Sequence, residues 1–157
     1  MKRIFGLGFF GVLILGFLVS CDQNRFFEQN IEIQNEIWAF EDVKNFQLEI
    51  DDTTSLYNFH LNIRNTNEYP FANLYVFIET RFPDSLYARD TVELQLANLN
   101  GKWLGSGNGK YKYNQFILRE GMRFVQKGKY SFNIQQGMRE DYLEGVSDVG
   151  IRLEYYP

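Results

Sequence analysis

Across 157 residues the chain has one cysteine, one histidine and three prolines. A single cysteine excludes an internal disulfide, so any folded core has to be large enough by itself. One histidine and no second thiol leave out the ligand set of a zinc site. Asp141, Glu144 and Asp148 are the acids that calcium, or a pair of catalytic carboxylates, would use, but their spacing matches no calcium loop. No metal and no cofactor is therefore assigned. His60 has no Gly-x-Ser-x-Gly elbow to serve, and it stands on the polar side of an alternating stretch, a solvated or edge-facing place. No catalytic residue is assigned either, and the chain is read as a non-enzyme. Gly101–Gly109 is rich in glycine but lacks the Gly-x₄-Gly-Lys-Ser/Thr spacing of a phosphate loop. Cations are also short, with 16 Lys and Arg against 20 Asp and Glu and a net charge of −4. That balance argues against nucleic acid as a partner and against a basic membrane-docking surface.

Of long apolar runs there is one, Ile4–Val19, and its 16 residues fall short of the roughly 20 that a membrane-spanning helix needs. Lys2 and Arg3 precede it and small residues close it, which is the pattern of a secretory signal peptide. Leu18-Val19-Ser20-Cys21 resembles the lipobox of bacterial lipoproteins. That resemblance implies cleavage after Ser20 and a lipid on the Cys21 thiol. The expected organisation is a signal peptide over 1–20, a lipid-anchored tether over 21–29 and one domain over 30–157. Loss of Lys2 and Arg3 with the signal takes the net charge to −6. The lipoprotein resemblance also implies that an acidic cluster behind the cysteine would mark export to the surface. Asp22-Gln23-Asn24-Arg25 has one acid and one base, which favours an outer-membrane protein facing the periplasm over an inner-membrane or surface location.

Aromatic residues are plentiful: 15 Phe, 10 Tyr and 2 Trp, of which only Phe5, Phe9, Phe10 and Phe17 lie in the signal segment. Several of the rest stand in segments that alternate with a period of two. Phe46, Leu48 and Ile50 alternate with polar residues, as do Tyr57, Phe59, Leu61 and Ile63. Val92–Leu96, Tyr130–Ile134 and Val149–Tyr155 repeat the pattern, and all five read as half-buried strands. Leu74–Phe82 is apolar on both sides near its start and reads as a central strand. Tyr111–Leu118 slips phase at Phe116-Ile117-Leu118, as a bulge would make it do. Ile31–Ile33 and Ile37–Phe40 form an opening strand bent at Asn35, and Met138–Glu144 is expected to make one helical turn. Turn signals between these segments indicate an all-β domain, a single antiparallel sandwich of immunoglobulin-like or jelly-roll type.

Trp103, Tyr111 and Tyr113 flank the glycine-rich stretch. One reading makes this a flexible connection with Trp103 plugging the sandwich edge. The other makes the three rings a platform for a partner protein or a glycan. Arg139, Asp148 and Arg152 lie among apolar strand residues, where a partly buried ion pair would fix the last strands. The block Gly101-Lys102-Trp103-Leu104-Gly105-x-Gly107, then Phe132-x-Ile134-x-Gln136-x-Met138-Arg139, then Leu143-x-Gly145-Val146-x-Asp148-Val149-Gly150-x-Arg152-x-Glu154, resembles the gliding-motility lipoprotein H family (GldH) of Bacteroidetes. The resemblance covers the mature chain and is strongest from Gly101 to Glu154. It implies a lipid-anchored component of surface gliding and the associated type IX secretion machinery, without known catalysis, whose partners are other envelope proteins. Only Cys21, as the lipid attachment site, carries over residue by residue. A carbohydrate-binding sandwich module is the alternative.

Overall fold

The computed structural model describes residues 22–157; the expected signal peptide over 1–20 and Cys21 lie outside the described residues. Ten strands follow in order: β1 (Arg25–Glu32), β2 (Ile37–Ala39), β3 (Lys44–Ile50), β4 (Tyr57–Thr66), β5 (Asn73–Arg81), β6 (Tyr87–Gln95), β7 (Tyr111–Met122), β8 (Gly128–Gln136), β9 (Tyr142–Glu144) and β10 (Val146–Tyr155). They form two four-stranded antiparallel sheets, β1-β10-β4-β7 and β3-β8-β5-β6, and a two-stranded ribbon, β2-β9. Setting the short ribbon strands aside and numbering the other eight afresh, the sheets run 1-8-3-6 and 2-7-4-5. That is a long hairpin rolled onto itself, the nested order of a jelly roll.

Period-two burial explains the two layers. Phe46, Leu48 and Ile50 of β3 turn inward, as do Tyr57, Phe59, Leu61 and Ile63 of β4 and Val149, Ile151 and Leu153 of β10. Phe59 of one sheet meets Phe132 of the other with ring centroids 5.0 Å apart. β5 lies between β8 and β6, the central place its two-sided apolar start predicts. The expected bulge falls in β7: Phe59 pairs with Arg119 and His60 with Ile117, which leaves Leu118 as the extra residue. The bend at Asn35 is a 3-10 turn over Gln34–Glu36, with Asn35 at φ 55°.

Two expectations change. Residues 25–29, read as tether because they are polar, are the first half of β1, paired with Ile151–Glu154 of β10. A bulge between Arg25 and Phe27 puts Phe26 and Phe27 side by side and hides the alternation. Met138–Glu144 is not helical. The buried Gln136 side chain donates to Glu140 O at 2.6 Å and accepts from Met138 N–H at 2.8 Å, clamping a turn. Tyr142–Glu144 then pairs with β2, where strand hydrogen bonds replace the intrahelical ones.

Candidate functional site

The outer face of β1-β10-β4-β7 is built from the polar half of each alternating strand. Register aligns three rows across it: Glu28–Arg152–His60–Ile117, then Asn30–Gly150–Asn62–Gln115, then Glu32–Asp148–Arg64–Tyr113. In the middle row Gly150 is required by space. A Cβ there would lie 1.9 Å from Asn30 Oδ1 and 2.6 Å from the Gln29 carbonyl oxygen. Asn62 Nδ2 donates toward Glu28 Oε1 at 3.2 Å, and Gln115 Nε2 donates to Asn62 Oδ1 at 3.0 Å.

The third row holds the most distinctive cluster. Arg64 Nε donates to Asp148, and its Nη1 donates to the Tyr113 hydroxyl at 3.2 Å. The guanidinium carbon lies 5.3 Å from the Tyr113 ring centre and 5.4 Å from that of Tyr111, close enough for cation–π attraction to both. Burial works to lower the Arg64 pKa, but Tyr113 and Asp148 overcome it and hold the value above that of a free guanidinium. Asp148 is 7% exposed and also accepts from Ser147 Oγ at 3.2 Å. Beside the cluster, Tyr111 donates to Glu36 Oε1 at 2.9 Å and Lys110 Nζ donates to the same carboxylate at 2.7 Å. Lys110 first, then Tyr111, keeps the Glu36 carboxyl below its usual range. A groove of about 380 Å³ runs past Tyr113, Arg64 and Asp148 to Asn62, Asn30 and Gln115. Its lining presents an exposed ring, side-chain amides and a fixed cation.

The sequence-level candidates separate. Tyr111 and Tyr113, two residues apart on β7, share one side of their strand and flank Arg64. Trp103 does not join them. It turns against the core, 6.4 Å from the Tyr69 ring, while its backbone bridges Ala97. Trp103 is thus partly buried beside Tyr69, while Tyr111 and Tyr113 gather around Arg64. The loop also lies close against β7, through a Ser106–Tyr113 bridge and through Gly105, where a Cβ would come 2.6 Å from Asn114 Oδ1.

The ion-pair candidates separate too. Asp148 pairs with Arg64, whereas Arg152 binds Glu28 at 2.7 Å, Glu154 at 2.6 Å and Asp22. Arg139 is exposed on the Gly137–Asp141 turn and joins neither network among the described residues. His60 is not solvated: it is 4% exposed, in a strand flanked by β10 and β7, with Nε2 3.4 Å from Glu154 Oε2. Among the described residues no cluster of three or more His, Cys, Asp or Glu is placed to hold a metal ion. Arg64 and Glu36 escape sequence reading because their partners lie 84 and 75 positions away. The one local signal is the Asn58–His60–Asn62–Arg64 alternation, which gives the face but not its neighbours.

A second concavity is apolar. β6 and β7 are edge strands of different sheets, and between them a cleft of about 660 Å³ opens onto Phe59, Ile78, Leu118, Met122, Phe124 and Phe132.

Comparison with known proteins gives concordant matches. Residues 25–153 match the family model described as GldH lipoprotein. A protein of Christiangramia forsetii named as a gliding motility lipoprotein GldH homolog is 35% identical over 161 aligned positions, covering 98% of each chain. The gliding motility lipoprotein GldH of Flavobacterium johnsoniae is 35% identical over 153, covering 92% of this chain and 94% of its own.

Proposed function

The chain belongs to the GldH lipoprotein family, and from that premise we propose that it is a lipid-anchored envelope protein that supports gliding motility and type IX secretion by binding other envelope proteins. Cys21 is the lipid attachment site in this reading, and the domain faces the periplasm from the outer membrane. The observation that carries the contact role is the Arg64 cluster. Arg and Tyr are the residues that dominate interface energetics. Here the guanidinium is already fixed between Asp148 and two rings, so little ordering cost remains on binding. Tyr113 is 52% exposed and is the part of the cluster free to meet a partner.

Tyr113→Ala tests this. It should cost about 1 kcal/mol of stability, the loss of one exposed cation–π contact and one hydrogen bond to Arg64, yet reduce recovery of envelope proteins in a pull-down from solubilised membranes, and slow the cells, by more than that loss accounts for. Unchanged partners and unchanged gliding in that variant would defeat the assignment. A second reading, glycan binding, rests on the same groove, because a tyrosine face beside Asn62, Gln115 and Asn30 suits a sugar ring and its hydroxyls. Binding on a glycan array that Tyr113→Ala abolishes would favour it.

A further inference from the structure

We propose that the end of the sandwich that carries Tyr155, Tyr156, Val125, Leu86 and Tyr87 sits directly on the lipid surface in which the Cys21 acyl chains are held. The inference rests on Cys21 being the lipid attachment site, as read above, and adds to it a second, non-covalent membrane contact with a defined orientation.

Chain length forces the approach. From Cys21 to Arg25, the first residue of β1, are four Cα–Cα steps, at most about 14 Å when fully extended. They are not extended. Arg25 N–H donates to Asp22 O at 3.4 Å, closing a turn, and Tyr155 N–H donates to Asn24 O at 2.8 Å. The Asp22 carboxylate is bound by Arg152, which also keeps that acid ionised below its usual range. The chain is thus fastened to the domain one residue after Cys21. No free tether remains to hold the protein clear of the bilayer.

The end of the molecule at which this occurs has the surface a headgroup layer suits. Tyr155 closes β10 there and Tyr156 follows it, with Tyr156 N–H donating to Leu56 O at 2.8 Å. The β7–β8 loop and the β5–β6 hairpin reach the same end and are joined by Gln126 Nε2 donating to Asp84 Oδ2 at 2.9 Å. Val125 is 77% exposed and Leu86 65%. Exposed aliphatic residues beside tyrosines, each with an apolar body and a polar tip, are the composition of membrane–water interfaces. The charges alongside balance: the exposed Arg25, Arg123 and Lys127 are set against the exposed Asp51, Asp52 and Asp84, and Asp22 is paired with Arg152. The contact is therefore apolar and independent of anionic lipid, which agrees with the acidic composition. The opposite end, with Leu104, Leu99 and the Arg64 cluster nearer to it, is left facing away from the membrane.

The full-length lipidated protein, reconstituted in phosphatidylcholine vesicles, provides the test. With Cys21 acylated, Val125→Cys or Leu86→Cys introduces a single free thiol for a fluorescent bimane label. Labels at 125 and 86 should be quenched by nitroxide-bearing lipid and shielded from aqueous iodide. Labels from Leu99→Cys and Leu104→Cys should behave in the opposite way. Added salt or anionic lipid should leave the quenching unchanged. Protein that floats with vesicles but shows equal iodide access at both ends overturns the seating and leaves the anchor standing. Quenching that salt abolishes overturns the apolar contact. Protein that does not float, and carries no more lipid label than Cys21→Ser, overturns the anchor and the seating together.

Discussion

Two arginines on one sheet face, Arg152 and Arg64, have different surroundings. Arg152 has three carboxylates around it, and every side of its fork is used. Arg64 has one carboxylate and two tyrosine rings, and a groove opens beside it. A cation saturated by its own chain is a structural clasp, here between β1, β10 and the residues behind Cys21. A cation with one carboxylate partner, within cation–π distance of two rings, keeps a surface to offer. The difference teaches where to look for contact: at the cluster with unused valence.

Substitutions can break that contrast. Arg64→Ala should be the most damaging, costing about 3 kcal/mol, because Asp148 is left buried with only a serine hydroxyl. Arg152→Ala should cost less, about 1 kcal/mol, because Glu28 and Glu154 are only partly buried, Asp22 is exposed, and all three can rehydrate. Urea melts of the two variants check the order, and an Arg152 variant weaker than the Arg64 one would reverse the comparison. Trp103→Ala, at the far end of the sandwich, should fall between them at about 2–3 kcal/mol, below the 3–5 kcal/mol typical of a fully buried Trp. Its loss of gliding should follow its loss of stability, unlike that of Tyr113→Ala. The smallest effect is acid release of the clasp. Asp22 titrates below its ordinary 3.8 in the folded chain. Its contribution is therefore complete above that pH and disappears as pH falls through the lower folded value. The difference in melting temperature between the wild-type protein and Asp22→Asn should then shrink below pH 3.8.

Legibility in the sequence followed the range of the forces involved. β4 is legible because each neighbour along the chain alternates without interruption from Tyr57 to Arg64. β1 is not, because its Phe26–Phe27 bulge breaks the period and polar Glu28, Gln29 and Asn30 follow. The turn at Gly137–Asp141 misleads for a related reason: its clamp is a buried side chain, Gln136, which local spacing cannot reveal. Tyr111 and Tyr113 stand out as aromatics, yet nothing near them in the chain points to Arg64 rather than Trp103.

By itself, then, the sequence determined that the domain is an all-β sandwich with its core on one side of each strand, since alternation is a property of neighbouring residues. It also carried the marks of the anchor and of the family. Only the tertiary structure decided that the strands nest as a jelly roll, that His60 is buried, that Asp148 belongs to Arg64 and Arg152 to Asp22, and that the chain is fastened one residue behind Cys21. Those outcomes depend on strands brought together from distant parts of the chain, and pairing of that kind is set by the summed burial of both sheets rather than by any one segment.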